Sequence, residues 1–409
     1  MTVGPDQSRE DWSFAVLRWL QTSGPLIIVA LVGLPLLTDG GQLWPWRPAT
    51  PELGALRQLG ESLITGTASI APERLAAHGL TPAGLALSSV LALTTTAWWQ
   101  ILLTAASVSA LQSILRRLTG LTGWALLAVG TLVFLLVEPV RVTIAEGHPA
   151  LLVLWLVVSD LIGARHQRVL APGVRTGIAA AISLAPIWVI LLLLFSGRRR
   201  TAAVATFSAA SCFFLVWLMM PGHSDRYVDE LLRGHTLGPH HLVADNHSMG
   251  ATLARLGVNH PGVQILAMLV TLAAVWVASQ WWSRRPELAL GITLVASSWP
   301  LAMALPWTRV GVVLLLVGLA RGWFEHRDGW ALLPVTAWAM WVGLGVSAAL
   351  LGPGPVHTTG GAMLAGLDVV LGMVAVVATA TLKTSDQDAS APSERVRDSV
   401  GSPSPRHGV

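Results

Sequence analysis

Charge is what this chain has least of. Only 12% of its 409 residues are Asp, Glu, Lys or Arg, about half of the roughly 25% that soluble domains carry. That deficit excludes a soluble enzyme and a disordered chain, because uncharged apolar runs recur from Pro25 to Leu382. The same recurrence excludes a one-span anchor with a large soluble head. Cysteine is almost missing too. Cys212 is the one copy and lies inside an apolar run, so neither a disulfide nor a thiolate metal site can form within the chain. Lysine is reduced to Lys383, which leaves arginine to carry the base.

What is present is apolar. Hydrophobic residues make up 53% of the chain, and the mean hydropathy is +0.62. The runs fall near 21–38, 83–115, 120–138, 149–164, 172–184, 186–197, 202–221, 262–282, 287–305, 309–322, 329–351 and 361–382. At about 20 residues per span this predicts an all-α polytopic membrane protein with about twelve transmembrane helices. Pro186 breaks the pair 172–184 and 186–197 into two short helices meeting near one surface.

The arginines give the orientation. Clusters stand at Arg9/Arg18, Arg116-Arg117, Arg165/Arg168, Arg198-Arg199-Arg200, Arg284-Arg285 and Arg321/Arg327, with Lys383 after the last run. If each run crosses once, all of them share one side, which the positive-inside rule makes cytoplasmic, together with both termini. Residues 1–383 form one membrane domain on this reading, and 384–409, rich in Ser, Pro, Asp and Arg, a disordered cytoplasmic tail.

The opposite side receives 39–82, 139–148, 222–261, 306–309 and 352–360. These segments, with Glu138 at the edge of the second, hold Asp39, Glu52, Arg57, Arg141, Glu146, His148, Tyr227, Asp245, Asn246, His247, Arg255 and Arg309. Charges that ignore the positive-inside rule and gather at one face mark a functional surface. The histidines His235, His240, His241 and His247 sit among Gly234, Gly238 and Pro239, without the i,i+4 pairing of a helical zinc site, so no metal is assigned. Most tryptophans fall at run ends, as an aromatic belt does; Trp307, beside Arg309, is the one placed to stack on a ring.

Taken in order, these segments resemble glycosyltransferase family 87, which includes actinobacterial α-mannosyltransferases using polyprenyl-phosphate mannose. Glu138-Pro139-Val140-Arg141-Val142-Thr143 followed by Gly147 resembles the family's "EPV-x-x-T…GQ-x-N" loop. Gly177 through Pro186, then Arg198-Arg199-Arg200, resembles its "G-x-a-a-a-i-K-l-t-P" stretch and the basic cluster after it. Ser224-Asp225-Arg226-Tyr227 resembles "S-x-x-Y-W", and Asn246-His247-Ser248-Met249-Gly250 with Arg255 resembles "N-Q-S-l-x-G-x-l-x-R". The chain departs from the family pattern at Glu52, where the family shows an aspartate, and at Ser183, where it shows lysine. It departs again at His148-Pro149-Ala150, and at Arg309, which follows Trp307-Thr308 in place of a histidine.

The resemblance implies a GT-C-like bundle with a catalytic cavity at the outer face of the plasma membrane. It implies a polyprenyl-phosphate sugar as donor, and a cell-envelope glycolipid or lipoglycan as acceptor among the membrane lipids; no nucleic-acid partner is expected. Transfer needs a carboxylate base for the acceptor hydroxyl and arginines for the leaving phosphate. Glu52 is the first candidate base and Asp39 the second. Glu52, Arg57 and Glu61 also follow helical spacing, as on a solvated amphipathic helix, and Asp39 also suits a helix end. Arg141, Arg255 and Arg309 are the phosphate candidates; the alternative role is an ion pair, Arg141 with Glu138 or Glu146 and Arg255 with Asp245. Asn246, His247, Ser248, Tyr227 and Trp307 are the candidates for holding the sugar. No cofactor is needed, because the donor carries no nucleotide diphosphate to be chelated, and no Asp-x-Asp lies in the outer segments. Two other classes fit less well. A lipid-sugar flippase would show an internal repeat and polar residues at mid-span, whereas the charges here cluster in outer segments. A catalytically inactive assembly subunit would keep the scaffold and lose site residues.

Overall fold

The computed structural model describes residues 19–20, 23–31, 57–58, 60–62, 64–65, 81–93, 95–145, 147–162, 170–233, 248–258, 260, 262–300, 309–324, 332–346, 350 and 359–390. Among them there are helices and turns and no β-strand. In chain order the helices are α1 (Pro82–Leu91), α2 (Thr96–Thr119), α3 (Gly123–Leu136), α4 (Glu138–Ala145), α5 (Ala150–Leu161), α6 (Val174–Ile182), α7 (Pro186–Phe195) and α8 (Arg199–Met219). They continue as α9 (Pro221–Arg233), α10 (Met249–Arg255), α11 (Gly262–Trp281), α12 (Pro286–Ala296), α13 (Val312–Phe324), α14 (Leu333–Gly343) and α15 (Thr359–Ser390).

Many large apolar side chains stand exposed among the described residues. Trp124 is 84% exposed, Met219 76% and Phe207 75%, which suits lipid and not water. Among the described residues three helices are long and apolar enough to cross a membrane: Trp98–Thr119, Arg199–Met219 and Gly262–Trp281. The bent pair α3–α4 is a fourth if taken as one span, and six other apolar helices are shorter. The apolar run at 83–115 is divided by a turn at Ala92–Leu93. The expected outer segments 139–148 and 222–261 carry α4, α9 and α10. The last helix continues to Ser390, so the first residues of the expected tail are helical.

Proline explains the two sharp breaks. Pro139 has no N–H for the carbonyl of Leu135 four residues back, and the chain turns through 84° between α3 and α4. Arg141 supplies the missing donor, Nη1 to Leu135 O at 3.1 Å. Pro186 in the same way frees the carbonyl of Ile182 at the end of α6. Thr81, the N-cap of α1, takes it with its backbone N–H at 3.4 Å and its hydroxyl at 3.3 Å, and the hydroxyl also reaches Ala181 O. Each broken helix end is thus satisfied by protein, as an apolar solvent demands.

α6 lies along α8 at backbone distance. A Cβ on Gly177 would fall 2.3 Å from Ala205 O, and one on Gly173 2.4 Å from Thr201 O, so α6 and α8 run in the same direction. Asp160, buried at the end of α5, fixes where α6 starts. It accepts from Gly173 N and Thr176 N at 3.0 and 2.9 Å, and from the Thr176 hydroxyl at 2.8 Å. Asp160 is a helix cap supplied by a neighbouring helix.

Two packed groups result. One comprises α1, α2, α3, α5, α6, α8 and α9; the other comprises the helices from α10 through α15. α7 bridges them by packing on α11 and α12, and α4 bridges them by packing on α14.

Candidate active site

Specific contacts sort the charged residues onto two faces. On one, the Arg198 guanidinium lies 4.9 Å over the Trp282 ring, and Arg321 meets Glu287 at 3.3 Å. There too Trp281 Nε1 donates to Thr379 O at 3.2 Å. The clusters 198–200 and 284–285, Arg321 and the end of α15 therefore share a face. At the other end of the same helices, Met249 N donates to Trp299 O at 3.0 Å, and Gly366 faces Thr252.

The centre of this second face is an ion pair across 171 residues. Arg309 Nη2 lies 3.1 Å from Glu138 Oε2, with side-chain exposures of 10% and 13%. Glu138 opens α4, immediately after the bend, where a helix N-terminus favours a carboxylate. Its side chain is pressed on Gly345, whose φ is +60° and where a Cβ would come 2.7 Å from Glu138 Cγ. α4, the start of α13 and the end of α14 are thereby tied at one point. Arg309 Nε is buried and has no partner among the described residues. α4 closes in a tight turn: Gly147 has φ 70°, and His148 N donates to Thr143 O at 2.9 Å. His148 is buried, and the buried Thr143 hydroxyl has no partner among the described residues.

α10 forms the adjoining wall, packed on α11 and α15. Ser248 is its N-cap: the Oγ accepts from Ala251 N at 3.0 Å, and the residue is 1% exposed. Arg255 is half-buried in the last turn. Below α10, the Trp299 and Trp338 rings stand 5.9 Å apart with Gly372 packed against both. Trp338 Nε1 donates to the buried carboxylate of Asp368 at 2.7 Å.

Of the residues singled out in sequence, Arg309 and Arg141 are brought to this face by α13 and α4. Glu138, weighed in sequence as a partner of Arg141, pairs with Arg309, and Arg141 donates to the Leu135 carbonyl freed by Pro139. Arg255 and Ser248 stand on α10. Tyr227 is buried on α9, and burial pushes its phenol well above the usual range. Asp39, Glu52, Asn246, His247 and Trp307 lie outside the described residues, as do His235, His240 and His241. Among the described residues no group of three or more His, Cys, Asp or Glu gathers at metal-binding distance. Cys212 is half-buried on α8.

Sequence reasoning treated Glu138 as part of a motif and as a possible partner of Arg141, and missed its pairing with Arg309. The signal was there: Glu138 and Arg309 are opposite charges at the ends of two apolar runs on the same side.

In this helical membrane protein the buried charge pair and the α10 cap thus lie at the opposite end of these helices from the arginine clusters. Residues 80–306, more than half of the chain, match glycosyltransferase family 87. The chain belongs to that family and is a membrane glycosyltransferase by it. No curated protein and no solved structure matches the chain.

Proposed function

We propose that the protein moves a sugar, mannose, from a polyprenyl-phosphate donor to a cell-envelope glycolipid or lipoglycan at the outer face of the plasma membrane. The observation that carries the proposal is the Arg309–Glu138 pair, within the α4 segment and at the face away from the arginine clusters, joined to the family membership. On this reading about twelve segments cross the membrane, both termini are cytoplasmic, and the catalytic cavity opens outward.

The chemistry is a single displacement. The acceptor oxygen attacks the anomeric carbon opposite the phosphate, a new C–O bond forms, and the bond to the phosphate oxygen breaks with inversion. The acceptor proton goes to a carboxylate, Glu52 first and Asp39 second. The leaving polyprenyl phosphate keeps the electron pair, and arginine donors stabilise its charge. Arg255 is the leading donor, with Arg309 contributing through Nε and Arg141 beside it. Asn246, His247, Ser248, Tyr227 and Trp307 are the residues proposed to hold sugar and headgroup.

A second reading, an inactive assembly subunit, is favoured by the structural bonds that already occupy Arg141 and Ser248. Reconstitution separates the two. Purified protein in liposomes with labelled polyprenyl-phosphate mannose and envelope lipids should transfer label. Arg255→Ala should lower donor use by about one to two orders of magnitude, the loss of one charged hydrogen bond. A folded wild type that transfers nothing with any envelope acceptor supports the subunit.

A further inference from the structure

α8 leaves the arginine face at Arg199 and runs for 21 residues, about 30 Å, to Met219. Its far end and the start of α9 therefore stand on the side opposite the arginine clusters. A cavity of about 580 Å³ opens in the cleft between the two helices. Its walls include Ala210, Phe213, Phe214 and Trp217 of α8, and Asp225 and Asp229 of α9.

The cavity is graded from polar to apolar. At its rim Trp217 Nε1 donates to Asp225 Oδ1 at 2.7 Å, which ties the indole to α9. That bond uses one of the roughly four acceptor sites of a carboxylate, and Asp225 is exposed, so it can accept from an occupant as well. The Phe214 and Trp217 rings are 5.9 Å apart and 26° from parallel, a nearly continuous aromatic surface beside that carboxylate. Ala210 and Phe213, up to about 10 Å further down the helix, make the deep wall apolar. Leu215 and Leu218 stand exposed on α8, which is the least buried of the three long apolar helices.

Each end of the cavity selects a chemistry. A carboxylate accepts and cannot donate, and no basic side chain is among the described residues that line the cavity. A phosphate headgroup, itself an acceptor, finds no donor here, whereas hydroxyl groups suit Asp225. The C–H bonds of a sugar ring carry the positive partial charge that aromatic faces attract. The apolar depth and the lipid-facing side of α8 suit hydrocarbon. We infer that the α8–α9 cavity binds the sugar ring of a neutral glycolipid, hydroxyls on Asp225 and C–H face on the Phe214–Trp217 surface, with the acyl chains along α8. Headgroup binding stands on the cavity alone; that this glycolipid is the acceptor rests on the proposed transfer.

The probe is dimannosyl diacylglycerol in phosphatidylglycerol nanodiscs, without donor. Diacylglycerol of the same chains and phosphatidylcholine are the competitors, and retained lipid is counted by native mass spectrometry. Wild type should retain the glycolipid over both. Asp225→Asn keeps an acceptor for the indole and should lose about 10-fold of the preference, the scale of one charge-assisted hydrogen bond. Phe214→Leu should lower it too, because half of the aromatic surface goes. Trp276→Leu removes an exposed indole of α11 outside the cavity and should keep the preference. Equal retention of diacylglycerol by wild type would mean a groove for hydrocarbon only and overturn the site. Displacement by phosphatidylcholine would make it an aromatic cage for an ammonium group and overturn the sugar assignment. An unchanged preference in Asp225→Asn and Phe214→Leu, or an equal loss in Trp276→Leu, would overturn the location. Mannose transfer read in the same preparations separates the two claims. Glycolipid bound in the expected pattern but never mannosylated keeps the site and removes the acceptor role. Transfer by Asp225→Asn at the wild-type KM for the glycolipid overturns the acceptor role and leaves transfer standing.

Discussion

Removing either member of the Glu138–Arg309 pair should cost far more than removing both. The two side chains meet at 3.1 Å and are 13% and 10% exposed, so each alone would be a charge stranded away from water. Stranding one partner of a buried pair costs about 3–5 kcal/mol, whereas replacing both by apolar groups of similar volume is often neutral. Glu138→Leu and Arg309→Met should each destabilise by about that amount, and the double variant by much less than their sum. Gly345 sharpens the test. A Cβ there would sit 2.7 Å from Glu138 Cγ at φ +60°. Gly345→Ala should therefore cost most while Glu138 is present, and less beside Glu138→Ala, which removes the Cγ and Cδ it would meet and leaves chiefly the backbone share, about 1–2 kcal/mol. Chemical unfolding of the purified protein in mixed micelles measures all of these. Additive single effects, each below about 1 kcal/mol, would mean a solvated pair that braces nothing.

Two further outcomes follow from the fold. Asp160→Ala removes three hydrogen bonds to one carboxylate, which should cost at least about 3 kcal/mol, with Asp160→Asn keeping part of it; both are read in the same unfolding experiment. Cysteines introduced at Thr236 and Ser385 should label from opposite sides of the membrane with an impermeant reagent, and labelling from one side would break the proposed topology.

Much of the helical content could be read in advance because an apolar run in lipid has one way to satisfy its backbone. The common face of Arg198–Arg200, Arg284–Arg285 and Arg321 was likewise legible from the alternation of charge and apolar runs. The family was legible in the Glu138–Thr143 and Asn246–Arg255 segments. What sequence hid were partners distant in the chain. Nothing local says that Glu138 meets a residue 171 positions away, or that Asp160 caps a helix it does not belong to. The break at Pro139 could have been foreseen from the missing N–H, yet the segment was read as a loop because its charges outweighed its helical spacing. Ser248 carried two signals at once: in a motif it suggested sugar contact, and a serine opening a helix was also a plain N-cap signal.

The central claim is sugar transfer driven by an outer carboxylate, and turnover of polyprenyl-phosphate mannose by three matched preparations tests it most directly. Wild type should transfer mannose; Glu52→Gln should be slower by about 10²–10⁴-fold with donor binding nearly intact, the usual share of a general base; Asp39→Asn should lose little. The reverse pattern would move the base to Asp39. Full activity in both variants would contradict the carboxylate mechanism for this protein.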